Sequence, residues 1–327
     1  MKAQMMTKMV LSLTVILSLT ACLQKASEPE IEAAPGGSST VSAPVSIDPC
    51  ASLIMVGASL DLTALCPNGS YKLTQDVTIS LSAPVAQEFN GTIDGNGHTI
   101  HISIAPQGGQ NAIFTALGAS AVLKNAILIF DTDVVGGTVP RVQDEVDNGV
   151  AAIAVVHKGL MQDLTVTLQT VRNVRVSPVG GLVAYSQGGT LERVNVTATM
   201  VKGGNSAGGI VGLLYSGAGP GVLRDSSFTG SVQGYSAGGL VGTVSGANTV
   251  MENSTANAQV GLNLDSPSAS MPDSSFGLLA SRLYYATLNG VIYPSTIRDC
   301  SGRGNITTLI DDISSNAVHS NNIYLGQ

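Results

Sequence analysis

Gly180-Gly181-Leu182-Val183, Gly208-Gly209-Ile210-Val211-Gly212 and Gly238-Gly239-Leu240-Val241-Gly242 say nearly the same thing three times, 28 and 30 residues apart. Each is followed some ten residues later by a second apolar segment. A unit of about 30 residues, built of short Val, Leu, Ile and Thr runs between Gly, Ser and Asn, cannot bury its apolar face alone and must stack on its neighbours. Several glycines per unit exclude a helical repeat, because each costs about 1 kcal/mol in a helix interior. Stacked coils put strand over strand as a parallel sheet, about 4.8 Å per coil, with inward side chains in columns. The expected class is all-β, a parallel β-helix.

Working outward, the second strands align on their own. Leu123-Lys124-Asn125-Ala126, Met161-Gln162-Asp163-Leu164, Leu191-Glu192-Arg193-Val194, Leu223-Arg224-Asp225-Ser226, Met251-Glu252-Asn253-Ser254 and Ile297-Arg298-Asp299-Cys300 share an apolar first position and Asn or Asp at the third in five of six. Asn and Asp tolerate left-handed backbone, so this column predicts a corner where each coil bends. The fourth position reads as an inward column of small or apolar groups, in which Cys300 packs as a small hydrophobe. The second position alternates in charge over its last four members, an exposed ladder that helps set register and adds little stability.

Upstream, Tyr71-Lys72-Leu73-Thr74-Gln75-Asp76-Val77 and Phe89-Asn90-Gly91-Thr92-Ile93-Asp94-Gly95-Asn96-Gly97-His98-Thr99-Ile100 precede Ile113-Phe114 and the Gly-Gly-Leu-Val repeats. From Tyr71 to Val260 this layout resembles bacterial surface proteins carrying the GLUG motif. The resemblance implies a right-handed, single-stranded parallel β-helix on adhesin-like proteins or in non-catalytic regions of secreted enzymes. It carries no catalytic residues to transfer.

The first 21 residues read as a lipoprotein signal peptide. Lys2 and Lys8 precede the apolar run Met9 to Leu19, too short to cross a bilayer, and Leu19-Thr20-Ala21-Cys22 resembles a lipobox. Cys22 is then the lipidated residue, with an ordinary secretory signal as the alternative. Either way the chain is exported. Leu23 after the lipid, rather than Asp, implies the outer membrane by the family's sorting rule. Residues 22–46, rich in Ala, Ser, Pro, Glu and Gly, read as a disordered tether reaching about 25–30 Å. Residues 47–304 read as the β-helix with an N-terminal cap, and 305–327 as a C-terminal cap. In an exported protein Cys50 and Cys66 suit a disulfide, contributing on the order of 3 kcal/mol.

Composition narrows the function. Only 11% of the 327 residues are charged and the net charge is −7, so no basic stripe is available for nucleic acid. Two coils are swollen: one by residues 136–147, which include Arg141, Asp144, Glu145 and Asp147, the other by 262–275. Insertions in a solenoid map to loops on one face, and loops carry function. With Arg172 and Arg175 one coil later, those four residues are the candidate ligand-binding set. Asp131 and Asp133 add acids nearby, but neither paired carboxylates at hydrolytic separation nor a metal-ligand spacing is recognisable. The four histidines, His98, His101, His157 and His319, read as structural. The Thr165/Thr167 and Thr197/Thr199 pairs are of the kind seen on ice-binding solenoids but do not recur across the coils, which sets that reading aside. The expectation is a surface-anchored, non-catalytic β-helix lipoprotein that binds a glycan or a surface protein, without cofactor or metal, its only membrane contact the N-terminal lipid. A polysaccharide lyase-like enzyme and an architectural envelope protein are the alternatives.

Overall fold

The computed structural model describes residue 50 and residues 52–105, 111–136, 149–173, 177–217, 219–265, 274–284, 286–288 and 291–326 except 307. All lie in one compact unit, Ile47–Gln327. The signal peptide, Cys22 and the tether lie outside the described residues, as do Arg141, Asp144, Glu145, Asp147 and Arg175.

The described chain is a parallel β-helix. Its largest sheet is made by the long strand of each coil, which runs unbroken across the corner in Val122–Phe130, Leu160–Arg172 and Thr190–Lys202 and elsewhere divides there into two arms. A second sheet stacks Phe114–Leu117, Ala154–His157, Val183–Gln187, Val211–Tyr215, Val241–Ser245, Ala280–Leu283 and Ile310–Ile313. A third stacks Val150–Ala151, Val179–Gly180, Ser206–Gly208, Ser236–Gly238 and Ser275–Gly277. The six segments aligned by sequence pair in that register, so Leu123, Met161, Leu191, Leu223, Met251 and Ile297 form one inward column. Ile54, Tyr71 and Ile93 extend it in one direction and His319 in the other. From Met161 to Ile297 this column is fully buried.

The corner explains the Asn/Asp column. Asn96, Asn125, Asp163, Arg193, Asp225, Asn253, Asp299 and Asn321 all hold φ between 49° and 53°. Left-handed backbone costs an ordinary L-residue about 1–2 kcal/mol, and Asn and Asp offset part of this by bonding locally. Asn125 Nδ2 donates to Asp94 Oδ1 at 3.1 Å, and Asn321 Nδ2 to Asp299 Oδ1 at 2.9 Å, each reaching the preceding coil. Arg193, the exception in sequence, pairs with Asp163 in the preceding coil at 2.6 Å.

The inward position beside the corner carries a bond as well as packing. Ser226 Oγ donates to the Arg224 carbonyl at 2.7 Å and accepts the Val194 N–H at 3.1 Å. Ser254 repeats this with the Glu252 carbonyl at 2.8 Å and the Ser226 N–H at 3.2 Å. These hydroxyls carry the inter-coil hydrogen bonding across a bend where buried backbone groups need partners.

The Gly-Gly pairs turn the chain between the third and second sheets. None has positive φ, so the requirement is close approach. A Cβ on Gly180, Gly208, Gly238 or Gly277 would overlap the carbonyl three residues later, and one on Gly181, Gly209 or Gly239 the carbonyl of the following coil. Bulk is exchanged across the core. Gly209 leaves room for the ring of Phe228, while Leu278, at the equivalent corner, packs over Gly302 and Gly304. The cross-section is thereby filled at each level, as close packing requires.

Two departures flank the regular coils. At the start, Cys50 and Cys66 are joined by a disulfide with Cα atoms 5.7 Å apart, and Asp61 caps the short 3₁₀ turn Leu62–Ala64 by accepting the Thr63 N–H at 2.9 Å. Near the end, Ala286–Leu288 and Val291–Tyr293 form an antiparallel hairpin off the solenoid. Residues 305–327 include three strands, Ile310–Ile313, Val318–Ser320 and Ile323–Tyr324, in parallel register with the coil before.

Candidate functional site

Alternation along a strand sends every second side chain outward, and stacking turns these into columns. On the second arm of the long strands, one column runs Thr165, Asn195, Ser227, Thr255, Ser301, and the next Thr167, Thr197, Thr229, Asn257. Ser231 and Gln259 lie one step further along their strands, in register with each other. These side chains are exposed or half-exposed, and no charge interrupts either column from Thr165 to Thr255 or from Thr167 to Asn257. With coils about 4.8 Å apart and alternate residues about 6.7 Å apart, the flank is a flat two-dimensional array of hydroxyl and amide groups. Ser227 Oγ donates to Asn195 Oδ1 at 2.7 Å, so neighbours in a column also fix one another's orientation.

Sequence reading missed this array, since it asked for recurrence of Thr itself. Thr, Ser and Asn alternate in the columns, so only the chemical class recurs.

A charged edge borders the flank across the corner. The second position of the first arm runs Met55, Lys72, Asp94, Lys124, Gln162, Glu192, Arg224, Glu252, Arg298, Ser320 in register. The alternation seen in four members thus extends to Lys72, broken only by neutral Gln162. Arg224 meets Glu192 at 2.6 Å, Arg298 meets Glu252, and Lys124 stands 3.6 Å from Asp94. Burial pushes the Asp94 carboxyl up, but the Asn96 N–H, the Asn125 amide and the ammonium groups of Lys124 and Lys72 together hold it below its ordinary value.

The sequence-derived candidates fare unevenly. Of the loop set only Arg172 is described; it ends the strand Leu160–Arg172, exposed, beside Val135 and Lys202. The nearby acids are engaged in the fold: Asp131 lies 3.5 Å from His101 Nδ1, and Asp133 accepts the Thr170 N–H at 3.1 Å. Among the described residues no three His, Cys, Asp or Glu side chains converge as a metal site. No described helix is long and apolar enough to cross a membrane.

His157 is the most perturbed group. It occupies an inward column with Leu117, Ser186, Leu214, Val244 and Leu283, where burial lowers its pKa to about 3. Its Nδ1 lies 3.3 Å from Ser186 Oγ, while Nε2 is buried with no hydrogen-bond partner. A neutral imidazole walled in by core residues has no access to substrate, so it belongs to the fold.

No protein-family model matches the chain. Over an alignment of 170 residues that covers 46% of this chain, the sequence is 28% identical to part of halomucin from Haloquadratum walsbyi (strain DSM 16790 / HBSQ001). The match spans about 2% of halomucin's own length.

Proposed function

We propose that this chain is a surface-exposed, non-catalytic β-helix that binds glycan along its uncharged flank, held at the outer membrane by a lipid on Cys22. The observation that carries the reading is the registered array of Thr, Ser, Asn and Gln side chains from Thr165 to Gln259. A sugar ring presents hydroxyl groups at spacings that such an array can meet repeatedly. Each neutral hydrogen bond contributes only about 0.5–1.5 kcal/mol net, so affinity comes from many contacts along a polymer. From Thr165 to Gln259 the described columns of the flank carry no ionisable side chain to serve as general acid or base or to activate a hydroxyl, which favours retention over turnover. The partial likeness to a protein named as a mucin agrees with a place outside the cell, and the signal-like N-terminus and the GLUG resemblance agree with it too.

The test is a glycan array probed with the full chain and with a Thr197→Lys/Thr229→Lys variant, both positions outward and clear of the core. At least a tenfold loss of binding, with unchanged circular dichroism, is expected. Undiminished binding would move the function off the flank to the insertions at 136–147 and 262–275. Unsaturated products released from acidic polysaccharides would replace the proposal with a lyase.

A further inference from the structure

Of the nine large apolar side chains exposed among the described residues, six lie on the first strand or the last coil of the solenoid, the others being Ile127, Leu264 and Ile292. Leu53 and Met55 on the first strand are each 57% exposed, and Val318, Ile323 and Leu325 on the last coil are 46%, 58% and 49% exposed. Large apolar side chains that a single chain leaves in water at a sheet edge mark a contact surface.

The registers relate the two ends. Leu53 and Val318 belong to one outward column, the residue just before the inward Leu123 to Ile297 position, with Ser70, Thr92, Val122, Leu160, Thr190, Val222, Val250 and Thr296 between them. Met55 and Ser320 terminate the charge ladder, which therefore ends neutral on both sides. Had Lys72 and Arg298 been the end members, stacking end on end would set two cations about 4.8 Å apart. Within the core, the column buried from Met161 to Ile297 ends in an exposed His319, over a cleft of about 540 Å³ lined by Leu309, Ile310, Ile313 and Asn322.

Backbone edges complete the match. Among the described residues, Leu53–Val56 pairs only with Ser70–Leu73, and Ile310–Ile313, Val318–Ser320 and Ile323–Tyr324 each pair only with the preceding coil. The two sides of a parallel strand present complementary donors and acceptors, so a last rung continues into a first rung without changing the pattern. The carboxylates on the last rung turn back onto the preceding coil, away from the free end: Asp311 Oδ2 accepts the Phe276 N–H at 2.9 Å, and Asp312 Oδ2 the Tyr284 hydroxyl at 2.8 Å.

We infer that the last coil of one chain stacks on the first coil of a second copy, head to tail, with Val318 over Leu53 and Ser320 over Met55. The contact is heterologous, so it leaves a free end of each kind and propagates as a filament instead of closing. The binding flanks of successive copies then recur along one face of the filament, separated by the end coils that carry Arg303 and Ile323 in one copy and Ile127 and His101 in the next.

Sedimentation velocity on the full chain decides it, using Leu53→Lys and Val318→Lys, each of which blocks one end. Native chain is expected to form concentration-dependent oligomers, each variant alone to sediment as monomer, and their equimolar mixture to give dimers through the two unblocked ends. A monomeric native chain at 100-fold the concentration used for glycan binding, about the upper range of such experiments, would overturn the inference. So would dimers of Leu53→Lys alone, which indicate tail-to-tail pairing. Glycan binding by monomeric variants remains measurable, so this result is read separately from the proposed function.

Discussion

The thiol of Cys300 and the hydroxyl of Ser254 occupy the same place in successive coils and make the same bond. Ser254 Oγ donates to the Glu252 carbonyl at 2.8 Å, and Cys300 Sγ to the Arg298 carbonyl at 3.2 Å. The Ser254 N–H in turn donates to the sulfur, and the Cys300 N–H to Asn322 Oδ1 at 3.0 Å. The sequence reading of a small hydrophobe is therefore incomplete: Cys300 is buried, as a packing residue should be, and it also holds a rung of hydrogen bonds.

Cys300→Ser is expected to preserve or slightly raise stability, whereas Cys300→Val leaves the Ser254 N–H unpaired and costs about 1–3 kcal/mol in urea unfolding. Burial pushes the thiol pKa up to about 11, so native protein at pH 8 should react with a thiol reagent only as fast as it unfolds.

The left-handed corner gives a second prediction. Asn253 has φ 49°, and replacing it with Val should destabilise the fold by about 1–2 kcal/mol, while Asn253→Gly stays within a few tenths. If both variants unfold at the native urea midpoint, the corner is not under this constraint.

His157 predicts a pH dependence. Its pKa is lowered in the folded protein to about 3, whereas an unfolded chain protonates it near 6.5. The unfolded state thus binds the proton first, and stability falls as pH drops below that unfolded value. Between pH 7.5 and pH 5 the loss is about 2 kcal/mol, and His157→Leu should flatten it. Chemical unfolding at the two pH values measures the difference.

The charge ladder predicts a salt effect. Glu252→Lys would place three cations in consecutive coils, with Arg224 and Arg298 on either side. The expected result is a lower Tm at low ionic strength, largely recovered in 1 M salt, where the screening length falls to about 3 Å. A Tm deficit that salt does not change would trace to packing instead.

What the sequence made legible follows from what repeats. The Leu123 to Ile297 column and the Asn125 to Asp299 corner recur by position and by residue type, so alignment recovers them together with the fold. The exchange of Phe228 against Gly209, and of Leu278 against Gly302 and Gly304, stayed hidden because it links different positions of the repeat across the core. The flank escaped for another reason: Thr197, Asn195 and Ser227 are interchangeable as hydroxyl or amide donors but not as letters. The bond made by Cys300 could not be read at all, since a buried Cys in a column of Ala, Leu, Val and Ser looks alike whether it packs or donates.

The alternating ladder also sets a parity on the protein's own growth. Removing the single coil that carries Asp94, Arg224 or Glu252 would bring two like charges together, while removing the neutral Gln162 coil would seat Lys124 beside Glu192. Between Glu192 and Arg298, where the alternation is unbroken, this solenoid therefore lengthens or shortens without bringing like charges together in steps of two coils, the 60 residues from Leu191 to Met251, or by insertion of a coil that brings no charge.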